Sequence, residues 1–226
     1  MSAAAAALEA RELYRFFRAG EEETLALRGV SLHVRRGETV AVVGPSGAGK
    51  STLLGCLAGL DDPSGGDVRV GGVRISHRPE LERARLRAHG IGVLLQSNNL
   101  VAHLSVTDNV RLARSAVRAH HAVAVGELLE QVGLAGRARA LPRELSGGEL
   151  ARAGLAVALA NSPEVLLADE PTGELDGGSE RLVLELLRSR ADDGCGVLVV
   201  THSAEAVRVA DRVITMADGR VRDGLR

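Results

Sequence analysis

Residues Gly44-Pro45-Ser46-Gly47-Ala48-Gly49-Lys50-Ser51-Thr52 have the types and spacing of a phosphate loop, G-x-x-x-x-G-K-[ST]. Such a loop wraps backbone N–H groups around polyphosphate. The Lys50 ammonium reaches the outer phosphates, and the Ser51 hydroxyl suits Mg2+. The flanks agree with this chemistry. Thr39-Val40-Ala41-Val42-Val43 is the β-branched run of a buried strand, and Leu53, Leu54, Leu57 and Ala58 follow at helical spacing. Strand, glycine-rich turn and helix put an anion at a helix N-terminus, where free N–H groups and the helix dipole favour it.

Two carboxylates form the second group. Val165-Leu166-Leu167-Ala168 reads as an apolar strand that ends in Asp169-Glu170. Asp169 suits Mg2+, usually through water, and Glu170, pointing another way, can accept a proton from an attacking water. A third group is Leu145-Ser146-Gly147-Gly148-Glu149 at a helix start. Ser146 with Glu149 three residues later is a capping box, which by itself describes only a well-capped helix. Two glycines there also expose N–H groups, so a second anion site is the other reading. Two such helix starts in one chain suggest ATP held between two subunits.

The elements that must position these groups alternate. Strands are expected at Ile91–Leu95, ending at Gln96, and at Val165–Ala168, Val197–Val200 and Arg212–Met216, with helices at Glu180–Arg190 and Ala204–Ala210 between them. That order argues an α/β fold with a parallel sheet. Leu8 to Arg36 reads as short strands around a polar turn at Gly20–Glu23, and Val68 to Ile75 reads as a hairpin about Gly71-Gly72. A basic helix is expected over Pro79–His89. Residues 97–160 are mostly helical, with helices expected at Val110–Val117, Val123–Val132 and Gly147–Ala160, and read as an insertion.

Composition narrows the classes. The 226 residues are 45% hydrophobic, enough for a sizeable core, and 28 basic against 29 acidic residues leave no general nucleic-acid footprint. Cys56 and Cys195 lie outside any metal-ligand spacing, so a reducing cytosol fits and a disulfide framework does not. The Ala3–Ala7 run lacks the basic region of a signal peptide, and no apolar stretch approaches the ~20 residues that span a bilayer. A membrane role would therefore come through a partner. His120-His121, Arg83–Arg87 and Glu21–Glu23 read as solvated surface.

Taken in order, the motifs resemble the ATP-binding cassette (ABC) family over essentially the whole chain. Gly44–Thr52 resembles the Walker A loop, Gln96 the Q-loop glutamine, and Leu145–Glu149 the LSGGQ signature. Val165–Glu170 resembles Walker B, Glu174-Leu175-Asp176 the D-loop, and His202 in Thr201-His202-Ser203 the switch histidine. Phe17 matches the family's adenine-stacking aromatic. Leu60-Asp61, Gln96-Ser97, Asn99-Leu100, His103-Leu104, Asp108-Asn109-Val110 and Leu167–Gly173 are similar to the group serving macrolide-efflux and lipoprotein-release permeases.

The resemblance implies a single P-loop NTPase domain over 1–226. A RecA-like parallel core with an N-terminal antiparallel β layer (about 1–96 and 161–226) would carry a helical signature subdomain (about 97–160). It implies ATP and Mg2+ as cofactors and metal ligation by Ser51, Gln96 and Asp169. Lys50 would stabilise phosphate charge, Glu170 would activate water, and His202 would contact the γ-phosphate. Ser146, Gly147, Gly148 and Glu149 would face the nucleotide held by a second copy, and Asp176 would belong to the D-loop. The implied role is the ATPase subunit of a transporter that powers a separate integral membrane permease, in export, lipoprotein release or mechanotransmission. It would be cytoplasmic, peripheral on the inner face of the membrane, with no nucleic acid expected. The alternative is a soluble ABC ATPase acting on DNA or ribosomes. A small-molecule kinase is argued against by the signature, Gln96 and His202 together. The sequence departs from the family at Glu149 for the usual Gln, Val157 for Arg, Asn98 for Phe, and the aliphatic Val93-Leu94-Leu95 for a Phe-rich run.

Overall fold

The computed structural model describes residues 6–19, 22–117 and 123–222. The Gly20-Glu21 part of the expected turn, His120-His121 and the alanine run up to Ala5 lie outside them. Two sheets enclose one helix. The first, antiparallel and ordered β2–β1–β4–β5, comprises β1 (Ala6–Ala19), β2 (Glu22–Arg35), β4 (Gly65–Val70) and β5 (Val73–Arg74). The second is ordered β10–β9–β3–β8–β7–β6. Its parallel strands are β3 (Thr39–Val43), β6 (Ile91–Leu94), β7 (Val165–Asp169), β8 (Gly196–Val200) and β9 (Arg212–Ala217), and β10 (Arg220–Arg222) closes one edge antiparallel.

The parallel strands are buried on both faces, so their residues alternate between two cores. Val165 and Leu167 of β7 and Leu198 and Val200 of β8 point to one side. There they meet β1, β2 and α1 (Lys50–Leu57) through Leu13, Val30, Leu53 and Leu57. Leu166 and Ala168, and Val197 and Val199, point to the other side. That side is covered by α3 (Val106–Ser115), α4 (Val125–Gln131), α5 (Gly147–Ala158) and α6 (Gly177–Asp192). A basic helix, α2 (Glu80–Gly90), leads into β6, and α7 (Ala204–Val209) follows β8. Among the described residues no helix is long and apolar enough to cross a membrane.

Three expectations change, the first at Arg83, expected as solvated surface but mostly covered, at 14% exposure, and 3.5 Å from the Asp62 carboxylate. The N-terminal strands are not short: β1 and β2 each run for 14 residues. Register shifts between Ala10 and Leu13, Leu13 and Tyr14, and Arg15 and Phe16 break the alternation that would have revealed their length. Glu12, at φ +49°, sits at the first of these shifts. Helix α3 begins four residues before the expected Val110 because Ser105 caps it, its hydroxyl accepting the Asp108 N–H at 3.1 Å.

Both cores lack aromatic rings. The chain has one tyrosine, two phenylalanines and no tryptophan, and all three aromatics stand at 14–17 on β1, each more than a third exposed. Leu, Val, Ala, Ile and Met fill the interior instead.

Candidate functional site

Strand order assembles the chemistry. Because β8 lies between β3 and β7, and β6 flanks β7, the carboxyl ends of four parallel strands are neighbours. Lys50 and Ser51 follow β3, Asp169 ends β7 with Glu170 next, His202 follows β8 and Gln96 follows β6. All six line one open cleft of about 800 Å³ with Ser46, Gly47, Gly49 and Thr52. Ligands of parallel α/β sheets collect at this end.

The loop is shaped by glycine where it must be. Gly44 has φ +151°, and a Cβ there would lie 2.1 Å from the Met216 carbonyl oxygen. Gly49, the N-cap of α1 at φ +96°, would put a Cβ 2.6 Å from the Ala26 carbonyl oxygen. Gly47, at φ +78°, has open space where a side chain would stand, so backbone faces the cleft there. Lys50 is 8% exposed and folds over the loop, its Nζ donating to the carbonyls of Gly44 (2.7 Å) and Pro45 (3.0 Å). It is the only lysine in the chain. Ala48 is buried and donates its N–H to the Pro45 carbonyl at 3.2 Å. Gly44, Pro45 and Ala48 shape the loop from behind the cleft lining.

Burial pushes the Asp169 carboxyl above its ordinary range; a hydrogen bond from Ser51 and the Lys50 charge oppose that, and Glu170 adds to it. A half-buried carboxylate hydrogen-bonded to a hydroxyl, in a cleft that Gln96 also lines, supplies oxygen donors that fit a hard divalent cation such as Mg2+. Glu170 takes a left-handed backbone, φ +45°, held by its N–H to the Val200 carbonyl at 2.9 Å. That turn aims its carboxylate at His202. The His202 N–H donates to Glu170 Oε2 at 3.2 Å, and Nε2 is 3.5 Å from Oε1.

The signature residues do not line this cleft, though Gly147 borders an adjoining cavity with Gln96, Glu170 and Gly173. Ser146 caps α5, its hydroxyl accepting the Glu149 N–H at 3.3 Å while Glu149 Oε2 accepts the Ser146 N–H at 2.8 Å. The expected capping box is therefore formed. Ser146 and Gly147 are exposed, and none of Ser146, Gly147, Gly148 and Glu149 lines this chain's cleft. Asp176 caps α6, accepting from the N–H groups of Gly178 (2.9 Å) and Ser179 (3.0 Å), which with the Ser179 hydroxyl hold its carboxyl below the usual range. Phe17 is paired opposite Thr24, which does line the cleft, but Phe17 itself does not. Its ring lies under the Arg15 guanidinium, 4.8 Å from the centroid.

Several cleft residues carry no motif: Thr24, Leu25, Ala26 and Arg28 of β2, Val200 of β8, and Asp218-Gly219, while Gly173 ends the Leu167–Gly173 stretch. Only Asp218-Gly219 left a signal, since Asp-Gly at φ +51° and +71° is the hairpin turn that joins β9 to β10. A further linkage has no sequence signature. Glu180 Oε1 accepts from Ser203 Oγ (2.6 Å) and Thr172 Oγ1 (3.2 Å), tying the histidine loop and the loop after Glu170 to the first turn of α6. Both cysteines are free, and burial pushes Cys56 up to about 12 and Cys195 to about 11, so neither is a nucleophile at neutral pH.

The ABC transporter family model matches residues 27–173, more than half of the chain. The chain belongs to this family. An uncharacterized ABC transporter ATP-binding protein of Methanocaldococcus jannaschii is 38% identical to the cassette over 217 residues, covering 95% of the chain and 97% of that protein. The macrolide export ATP-binding/permease protein MacB of Rhodopirellula baltica is 40% identical over 220 residues. The cassette spans about a third (32%) of that relative's length. A dimeric bacterial ABC transporter cassette superimposes with a TM-score of 0.89 at 33% identity, covering 97% of this chain and 98% of that one. The cassette thus has the ABC ATPase fold, as its motif order implied, and is similar to the macrolide-export group.

Proposed function

We propose that the cassette binds Mg·ATP in the cleft around Lys50 and hydrolyses it while paired with a second copy of itself. One observation carries the reading: the phosphate loop, Asp169, Glu170 and His202 meet in one cleft, while Ser146, exposed at the N-cap of α5, does not line it. The cleft is half of a site, and the Ser146–Gly148 segment of a second copy supplies the other half. The dimeric structural relative, and a similar one described as a post-hydrolysis state bound to ADP and Pi, support this arrangement.

In this reading the Gly47 and Gly49 backbone cradles the phosphates, and Lys50 swings from the loop carbonyls to the β- and γ-phosphates. Ser51, Asp169 and Gln96 would hold the cation, which when bound would offset the charge developing on the phosphate oxygens. Glu170 accepts the proton of the attacking water, and His202 steadies Glu170 and the γ-phosphate. Catalysis is then positioning and electrostatics, as in other phosphoryl transfers. Phe17, preset by Arg15, stacks on the base once the nucleotide is in place. Residues 97–160 act as the signature-bearing arm, and about 1–96 and 161–226 as the nucleotide-holding core. Closure of the pair drives an integral membrane permease of the macrolide-export or lipoprotein-release kind, which keeps the cassette on the cytoplasmic face of the membrane. Relatives named as combined ATP-binding and permease proteins support that partner.

Glu170→Gln should bind ATP, lose steady turnover and accumulate as a dimer in light scattering. Normal turnover would remove Glu170 from the role of base. Ser146→Arg should bind ATP as a monomer and fail to dimerise; a closed, active dimer would overturn the two-copy site. Detergent co-purification should bring down an integral membrane protein, and recovery of ribosomes or DNA instead would overturn the transport reading.

A further inference from the structure

Glu149 raises an electrostatic question. It is the third residue of α5, the helix whose start is proposed above to face the γ-phosphate held by the other copy. A free carboxylate there would oppose a ligand carrying several negative charges. In the structure it is not free. One oxygen accepts the Ser146 N–H at 2.8 Å, and the other accepts Arg137 Nε at 2.8 Å. Arg137 closes the short 3-10 turn Ala135–Arg137, twelve residues earlier, and is the ion-pair partner of Glu149 among the described residues. The Glu149 side chain is mostly covered, at 17% exposure, whereas that of Arg137 is half exposed at 51%. A half-exposed pair contributes little to folding. Its consequence is local: it cancels one negative charge and pins the carboxylate back along the helix, leaving the exposed first turn at Gly147 open to an anion.

We propose that Arg137 is a positioning residue of the composite ATP site, holding Glu149 in its capping pose and neutralising it so that a signature bearing Glu accepts the γ-phosphate. The inference rests on the two-copy reading, and the experiment separates the two. In the full chain carrying Glu170→Gln, ATP-driven dimerisation is followed by sedimentation. Arg137→Met keeps the aliphatic stem and removes the charge. It should raise the dimer dissociation constant about tenfold, while Arg137→Lys, which keeps the charge, should stay within about threefold of the parent. With Glu149→Gln also present, adding Arg137→Met should shift the constant by less than about twofold, because no carboxylate remains to neutralise. Equal weakening with and without Glu149→Gln, or no weakening in either case, overturns the role of Arg137. Thermal melts of the monomers separate misfolding from the effect: should Arg137→Met melt early, the same comparison is read from Arg137→Gln, which keeps a donor without the charge. Ser146→Arg is the control: if it dimerises normally, the two-copy reading itself fails, whereas a blocked Ser146→Arg beside an unaffected Arg137→Met removes only this inference.

Discussion

Asn109 offers the most direct test of how the segment after Gln96 is held. It is 3% exposed and makes four contacts to backbone. Its Oδ1 accepts the Val101 N–H at 2.7 Å, and its Nδ2 donates to the carbonyls of Leu104 (3.0 Å), Ser105 (3.0 Å) and Val101 (3.3 Å). The side chain thus fastens the loop 101–105 onto the first turns of α3. Each hydrogen bond contributes about 1 kcal/mol net, and the part-buried Val101 N–H loses its partner. Water reaching part of the vacated space offsets some of it. Asn109→Ala should therefore cost about 3 kcal/mol. In a domain of this size that lowers Tm by roughly 6–12 °C, at 2–4 °C per kcal/mol. Urea unfolding gives the free energy and calorimetry the Tm. Asn109→Asp is the informative companion: it keeps the acceptor for Val101 but turns a carboxylate on three carbonyl oxygens. At neutral pH it should be as damaging as Ala, and it should recover in part as pH falls towards about 4, below which the carboxyl is protonated in the folded and unfolded chains alike. A loss below about 1 kcal/mol in Asn109→Ala, or an Asp variant as stable as the parent at neutral pH, would refute the reasoning.

Asp169→Asn should stabilise the nucleotide-free chain while cutting Mg2+-dependent turnover at least ~100-fold. With its carboxyl held above the ordinary range by burial, the folded state keeps the proton to higher pH than the unfolded chain. Ionising Asp169 therefore costs stability at neutral pH and nothing below about pH 4, so the gain, roughly 2–4 °C in Tm per kcal/mol, should vanish in acid melts. Glu38→Ala should destabilise by about 2–3 kcal/mol in urea unfolding, because Glu38 is 8% exposed and holds Arg212 Nε at 2.7 Å and the Arg35 N–H at 2.8 Å. Burial works to raise the Glu38 carboxyl, but Arg212 and the Arg35 N–H outweigh it and the net shift is downward. The parent's advantage should accordingly be full above about pH 4.5 and shrink as pH falls through the depressed value. Because Lys50 is the only lysine, an ATP acyl phosphate, which acylates amines beside bound polyphosphate, should label one side-chain amine. Peptide mapping that found no label on Lys50, or a label undiminished by excess Mg·ATP, would count against the cleft as the nucleotide site.

Wherever a residue's role follows from its own type and its near neighbours, the sequence was enough. Gly44, Gly49 and Lys50 belong to a loop whose backbone path is dictated within nine residues. Ser146 and Glu149 make a capping box whose two bonds span three residues, and both form. The buried parallel strands announce themselves because two-sided burial demands continuous aliphatic runs. Strand lengths in the N-terminal sheet were not legible, because bulges at Glu12 and beside Arg15 shift the alternation that periodicity detects. The β9–β10 hairpin has a local signal in its Asp-Gly turn, which the expected elements leave out, and nothing local encodes its contribution to the cleft.

Tertiary structure alone decided convergence. Lys50, Glu170 and His202 are spread over more than a hundred and fifty residues, and they meet only because β8 inserts between β3 and β7. No local pattern encodes that order, since each strand would be equally apolar in any position. The left-handed backbone at Glu170, the Glu180 link from Thr172 to Ser203, and the direction of Glu149 likewise depend on partners far along the chain or beyond one turn of helix. Sequence therefore determined which groups are present and the class of ligand they suit. Packing determined which of them share a cleft and how the Glu149 carboxylate is held between Arg137 and the Ser146 N–H.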